Sequence, residues 1–237
     1  MEEELIKWIL FFFIYSFFGY LSEIILCSIG ERKLVNRGFL FGPILPIYGF
    51  GMLTVLFLTK NTTDNLALTF LISMAACSAL EYLTSFLLEK LFRIKWWDYS
   101  KSDKLNLNGR ICLRNCLAFG IAGSIVVYQV QPLVSGFVAL FSLTLEIILA
   151  IILSCLLIFD TIVSILAILK AKKTFDFSKI VGDQTNEIKR AARRVIKEFF
   201  RRKKKFEKKL EKKRKKLQRK IEKRKKKLER KLKKHEK

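Results

Sequence analysis

Five long apolar stretches, at about Leu5–Ile29, Phe39–Leu58, Leu66–Leu88, Ile111–Val130 and Phe137–Leu169, constrain this 237-residue chain more than any motif within it. A helix needs about 20 mostly apolar residues to cross roughly 30 Å of hydrocarbon. Charge sharpens the division. Residues 1–169 carry 12 Lys/Arg and 12 Asp/Glu, whereas residues 170–237 carry 33 against 9, which is the whole formal charge of +24. The expected fold is an all-α integral membrane protein. It has a five-helix transmembrane bundle over 1–169, a linker over 170–182, and one long basic cytoplasmic helix over 183–237. Glu2, Glu3 and Glu4 stand before the first stretch where a signal peptide would be basic, and no small-residue cleavage site follows. That stretch therefore reads as a retained span.

The Lys and Arg residues between spans set the orientation. Arg32, Lys33 and Arg37 follow the first span; Lys90, Arg93, Lys95, Lys101, Lys104 and Arg110 lie between the third and fourth. The alternate loops hold only Lys60, with Lys7 near the start. Five crossings make this alternation consistent, with the N-terminus outside and the tail in the cytoplasm. Trp96, Trp97 and Tyr99 then fall at the inner interface, where aromatic anchors are favoured. A re-entrant second stretch is the alternative, and it would break the alternation.

Cys27, Cys77, Cys112, Cys116 and Cys155 lie in or beside apolar runs, without the second ligand pair a zinc site needs. The lone histidine is His235, and no phosphate-binding G-x-x-x-x-G-K-[ST] loop occurs. No metal, no cofactor and no ATPase of its own are expected, and no nucleophile–base pair marks an enzyme.

Ionisable groups inside hydrocarbon are costly and usually face protein or a watery cavity. Counted from the basic loops at 1.5 Å per residue, Glu23, Glu81, Arg114 and Asp160 all fall within about 6–15 Å of the inner ends of their spans. Glu146 belongs to the outer half. The second stretch starts in the same layer and is irregular, with Gly38, Gly42, Pro43, Pro46, Gly49 and Gly51 close together. Each proline removes a backbone donor, and broken helices in transporters use the freed groups to hold substrate or ions. Asn36, Arg37 and Tyr48 flank this segment and join it as candidates for a substrate or ion path. Arg110 and Arg114 are one helical turn apart; they suit a lipid phosphate or a pairing with Glu81 or Glu89. A kinked helix packed through its glycines, with acids merely paired to Arg114, fits the same residues.

These residues carry a resemblance. Tyr15-Ser16-Phe17-Phe18-Gly19-Tyr20-Leu21-Ser22-Glu23 comes first, then Asn36-Arg37-Gly38-Phe39-Leu40 with Gly42-Pro43 and Pro46-Ile47-Tyr48-Gly49. Leu80-Glu81-Tyr82, Trp96-Trp97-Asp98-Tyr99-Ser100 and Asn106-Leu107-Asn108-Gly109-Arg110-Ile111 complete the series. In this order they resemble the ABC-transporter type IV, or CmpB-like, membrane proteins, over roughly Phe11–Asp160. Phe119 departs from the pattern, where Trp is expected. The resemblance implies a bacterial cell-membrane protein, a permease powered by a separate ATPase subunit, and no particular substrate. Five spans are few for a path, so a homodimer or another membrane subunit is expected.

The tail repeats every eleven residues. Val195, Phe206, Leu217 and Leu228 form one apolar series, and Ile188, Phe199, Leu210, Ile221 and Leu232 the other. Eleven residues over three turns keep both on one helical face. The rest is cationic. Adsorption to anionic inner-leaflet lipid is favoured, each basic residue near the membrane contributing about 1 kcal/mol. Self-association as a coiled coil must overcome charge repulsion, and nucleic-acid binding, easy electrostatically, has few aromatic stacking positions. A membrane-anchored scaffold presenting this helix is the alternative to a permease.

Overall fold

The computed structural model describes residues 2–31, 38–61, 64–93, 95–100, 103–174 and Arg201. Asn36, Arg37, most of the 170–182 linker and the tail stripe of Phe199, Phe206, Leu210, Leu217, Ile221, Leu228 and Leu232 lie outside the described residues. The chain divides into two units, Met1–Ala192 and Arg193–Lys237, and every described residue but Arg201 lies in the first.

The elements are α1 (Glu2–Glu31), α2 (Pro46–Thr59), α3 (Leu66–Phe92), β1 (Asn106–Leu107), β2 (Ile111–Cys112), α4 (Leu113–Ile125), α5 (Gln131–Val138) and α6 (Leu143–Thr174). A π-helical turn, Val126–Val130, joins α4 to α5. Among the described residues, four helical runs are long and apolar enough to cross a membrane: Glu2–Ile29, Leu66–Phe92, Leu113–Val138 and Leu143–Leu169. Burial departs from that of a water-soluble core. Phe57, Leu133 and Phe159 are exposed, while Ser16, Thr69, Ser73, Glu81 and Ser164 are buried. Hydrocarbon as solvent explains this, since polar groups must then find protein.

The second stretch is helical only from Pro46. Pro43 cannot donate to a helical ladder and disfavours helix at Gly42, while Pro46 is well placed in a first turn. The 14 residues of α2 reach about 21 Å, less than a bilayer core. Residues 38–45 lead into it without helix. The fourth helical run also differs from expectation, continuing through Gln131–Gly136 to Val138. Pro132 has no N–H for the ladder, and the chain accommodates it by widening one turn, with the Gln131 N–H bonded to Val126 O. The real turn is at 139–142, where Ser142 Oγ accepts from Leu145 N–H at 3.4 Å and caps α6.

Helix pairs are set by small residues. α2 runs antiparallel to α1: Leu45 N–H donates to Ser16 O at 3.0 Å, Tyr48 lies over Gly19, and Gly49 fits against Phe12 and Ser16. Phe50 stacks on Phe12 with centroids 4.9 Å apart. Gly120 and Gly123 of α4 receive Phe70 and Ser73 of α3. At one end of the bundle Leu10, Val138 and Ala150 bring α1, α5 and α6 together. At the other, Phe92, Trp96 and Ile168 form a core with Phe39 against it.

Candidate ionisable site beside the interrupted segment

The connection between α3 and α4 is built as a rigid cap. Asn108 and Gly109 both have positive φ, 53° and 70°, as the tight Asn-Gly hairpin turn between β1 and β2 requires. A side chain at Gly109 would overlap Asp98 Oδ1 and Ser100 Oγ. Asp98 Oδ1 accepts from the Ser100 amide at 3.0 Å and its hydroxyl at 2.5 Å. These bonds, with Lys95 nearby, hold the Asp98 carboxyl below the usual aspartate range. Tyr99 N–H donates to Gly109 O at 2.8 Å, and Trp97 Nε1 to Arg110 O at 2.9 Å. The hairpin thereby aims Tyr99 at the bundle.

Tyr99 O–H donates to Glu81 Oε1 at 3.0 Å. Burial first, then the Glu81 carboxylate, hold the Tyr99 phenol well above its ordinary range, so it remains a donor. Across the site, Tyr48 O–H donates to Glu23 Oε2 at 2.7 Å, and Cys27 Sγ to Glu23 Oε1 at 3.3 Å. Glu23 and Glu81 lie within electrostatic reach of each other. Two carboxylate–phenol pairs from α1, α2, α3 and the cap thus meet in one place.

Asp160 of α6 holds the interrupted segment itself. Its Oδ1 and Oδ2 accept from Phe41 N–H at 3.2 Å and Gly42 N–H at 2.8 Å, and Ser164 Oγ reaches Oδ1 at 3.4 Å. Two amides left without a helical partner by the Gly42-Pro43 break are satisfied by one carboxylate.

Of the residues singled out in the sequence, Glu23, Tyr48 and Glu81 are brought together with Tyr99, and Gly42 meets Asp160. Gly38 has φ 129°, Pro43 is exposed and Pro46 opens α2. Gly49 serves the contact with α1. Arg114 is exposed and makes no ion pair among the described residues. Arg110 takes Glu89 as its partner at 2.5 Å and lies over the Tyr82 and Phe86 rings, 5.4 and 5.6 Å from their centroids. Trp96 is buried against Phe39 and Phe92. Sequence reasoning missed Asn115, which stands beside the Glu81 carboxylate; an amide inside an apolar run was the available signal. It also treated Tyr99 as an interfacial anchor only. None of the five cysteines forms a disulfide, and no group disposed to hold a metal ion occurs among the described residues.

Fold and site define a multi-pass helical membrane protein with ionisable groups gathered beside an interrupted segment. The chain belongs to the family described as "Putative ABC-transporter type IV", whose model matches residues 10–165. Neither the curated proteins nor the solved structures give a match to it. The matched range begins within α1, ends within α6, contains the whole site, and excludes the basic tail.

Proposed function

We propose that this chain is a permease-like membrane subunit whose polar site, formed by Glu23–Tyr48 and Glu81–Tyr99 beside residues 38–45, faces the cytoplasm. The observation that carries the reading is the meeting of two carboxylate–phenol pairs at a non-helical stretch inside the bundle. Irregular backbone at that depth is tolerated where it is held by protein or lines a cavity, and transporters place substrate sites at such breaks. Family membership supports transport driven by a separate ATPase subunit.

In this reading residues 38–59 make the fifth crossing, part extended and part helical. Phe39 packs at the Ile168 end of the bundle while Phe50 lies beside Phe12, towards the other. The N-terminus is outside, the basic tail lies on the anionic inner leaflet, and the chain performs no chemistry of its own. A second copy or another membrane subunit completes the path.

Affinity purification of the full chain in mild detergent tests the reading: a nucleotide-hydrolysing subunit should accompany it and hydrolyse ATP. The scaffold reading draws on the 33 Lys/Arg of residues 170–237. It expects loss of partner recruitment on deleting residues 183–237, with no ATPase in the purified material.

A further inference from the structure

Among the described residues, the donors that reach Glu23 and Glu81 are uncharged. Glu23 receives the Tyr48 phenol and a weak thiol bond from Cys27. Glu81 receives the Tyr99 phenol on Oε1. Its Oε2 is buried without a hydrogen-bond partner, in a residue 8 % exposed. Asn115 stands beside the carboxylate, but no hydrogen bond closes on that oxygen. One turn back on the same face of α3, Ser78 Oγ is also buried and unpartnered. Among the described residues of this region, Arg110 pairs with Glu89 and Lys95 with Asp98, while Arg93, Lys104 and Arg114 are exposed. A buried carboxylate is stable when paired with a cation that also donates hydrogen bonds.

The open acceptor selects the kind of cation. A guanidinium prefers both oxygens of one carboxylate in a planar fork, and Tyr99 already occupies Oε1. A bare metal ion finds no cage among the described residues. An ammonium is a compact charge with three rotatable donors, suited to one oxygen of Glu81, to Glu23 across the site and to the Ser78 hydroxyl. We infer that this site binds a primary organic ammonium ion between Glu81 Oε2 and Glu23. The inference deepens the transport reading at the same site: it rests on that reading for the ammonium being cargo, though not for its being bound.

The test uses the full chain in mild detergent, with ethylammonium chloride as probe and tetramethylammonium chloride, which has no N–H, as control at equal ionic strength. Ethylammonium should raise the melting temperature saturably and slow carbodiimide modification of Glu81, read by mass spectrometry, without slowing that of buried Glu146. In Glu23→Gln the apparent affinity should fall roughly tenfold or more, as loss of a charge-assisted bond implies. The carbodiimide readout on the unaltered chain stands even where Glu81→Gln fails to fold. Equal effects of both salts, or unprotected Glu81, overturn the inference. A co-purifying ATPase with Glu81 unprotected removes the ammonium and leaves transport; protection without any ATPase does the reverse.

Discussion

Single residues in the α3–α4 cap decide whether Tyr99 reaches Glu81. Gly109→Ala places a side chain at φ 70° and against Asp98 Oδ1, and should cost about 1–2 kcal/mol for the left-handed backbone alone, read as a lower melting temperature. Asp98 gives the cap a pH dependence of definite sign. Its folded pKa lies below the ordinary value, through the Ser100 bonds first. Its contribution is therefore complete above the unfolded value of about 3.9, declines below it, and is gone once pH has passed through the folded value. The melting-temperature gap between the native chain and Asp98→Asn should be constant from neutral pH to about 5 and narrow below about 4. A gap that widens on acidification would contradict this. The sequence carries a local signal for the Asn108-Gly109 turn, since few residue pairs accept two positive φ angles. It did not make Tyr99 legible as a site residue. An aromatic next to a basic loop satisfies the interfacial pattern equally well, and only the hairpin's fold-back turns it inward.

Among elements, the interrupted segment and its glycine contacts govern the bundle. Asp160→Asn keeps one acceptor oxygen but loses the charge, leaving one of the Phe41 and Gly42 amides without a good partner, at about 1–3 kcal/mol. Residues 38–45 should then loosen selectively. Leu40 is buried at 2 % exposure, so a Leu40→Cys probe in a cysteine-free background should react slowly with maleimide and faster once Asp160→Asn is added. Equal rates would deny Asp160 its holding role. Gly49→Val tests the neighbouring contact: its side chain would meet Phe12 and Ser16, and overpacking of this kind costs about 1–3 kcal/mol. The Gly/Pro break was readable from the chain because proline chemistry is local. That the break closes on Asp160, 118 positions away from Gly42, was readable only as a shared depth. Depth along a helix likewise says nothing of the face a side chain occupies, and Arg114, at the same depth, is exposed. Arg110, one turn earlier, is the arginine that meets an α3 acid.

For the whole molecule, composition alone divides a neutral, apolar part from a strongly basic one, and the apolar part is readable because a span in hydrocarbon demands a long uniform stretch. The number of crossings is less legible: residues 38–45 are too irregular for a helical count, and α2 is too short. The topology has a direct test. Single cysteines at Glu3, Asn61, Ser100 and Ser142, each in a cysteine-free chain, report sidedness through an impermeant maleimide on intact cells. Asn61 and Ser142 share a side, opposite Ser100, whether or not the second segment crosses, because only α3, the α4–α5 run and α6 lie between them and the tail. Glu3→Cys distinguishes the alternatives. If residues 38–59 cross, Glu3 joins Asn61 and Ser142 in labelling from outside, and Ser100 is protected. If they turn back, Glu3 lies opposite Asn61 and with Ser100. The contact of Phe50 with Phe12, together with that of Phe39 at the Ile168 end, favours a crossing, and the Lys/Arg distribution sets its direction, so the expected result is Glu3, Asn61 and Ser142 labelled and Ser100 silent until the cells are permeabilised.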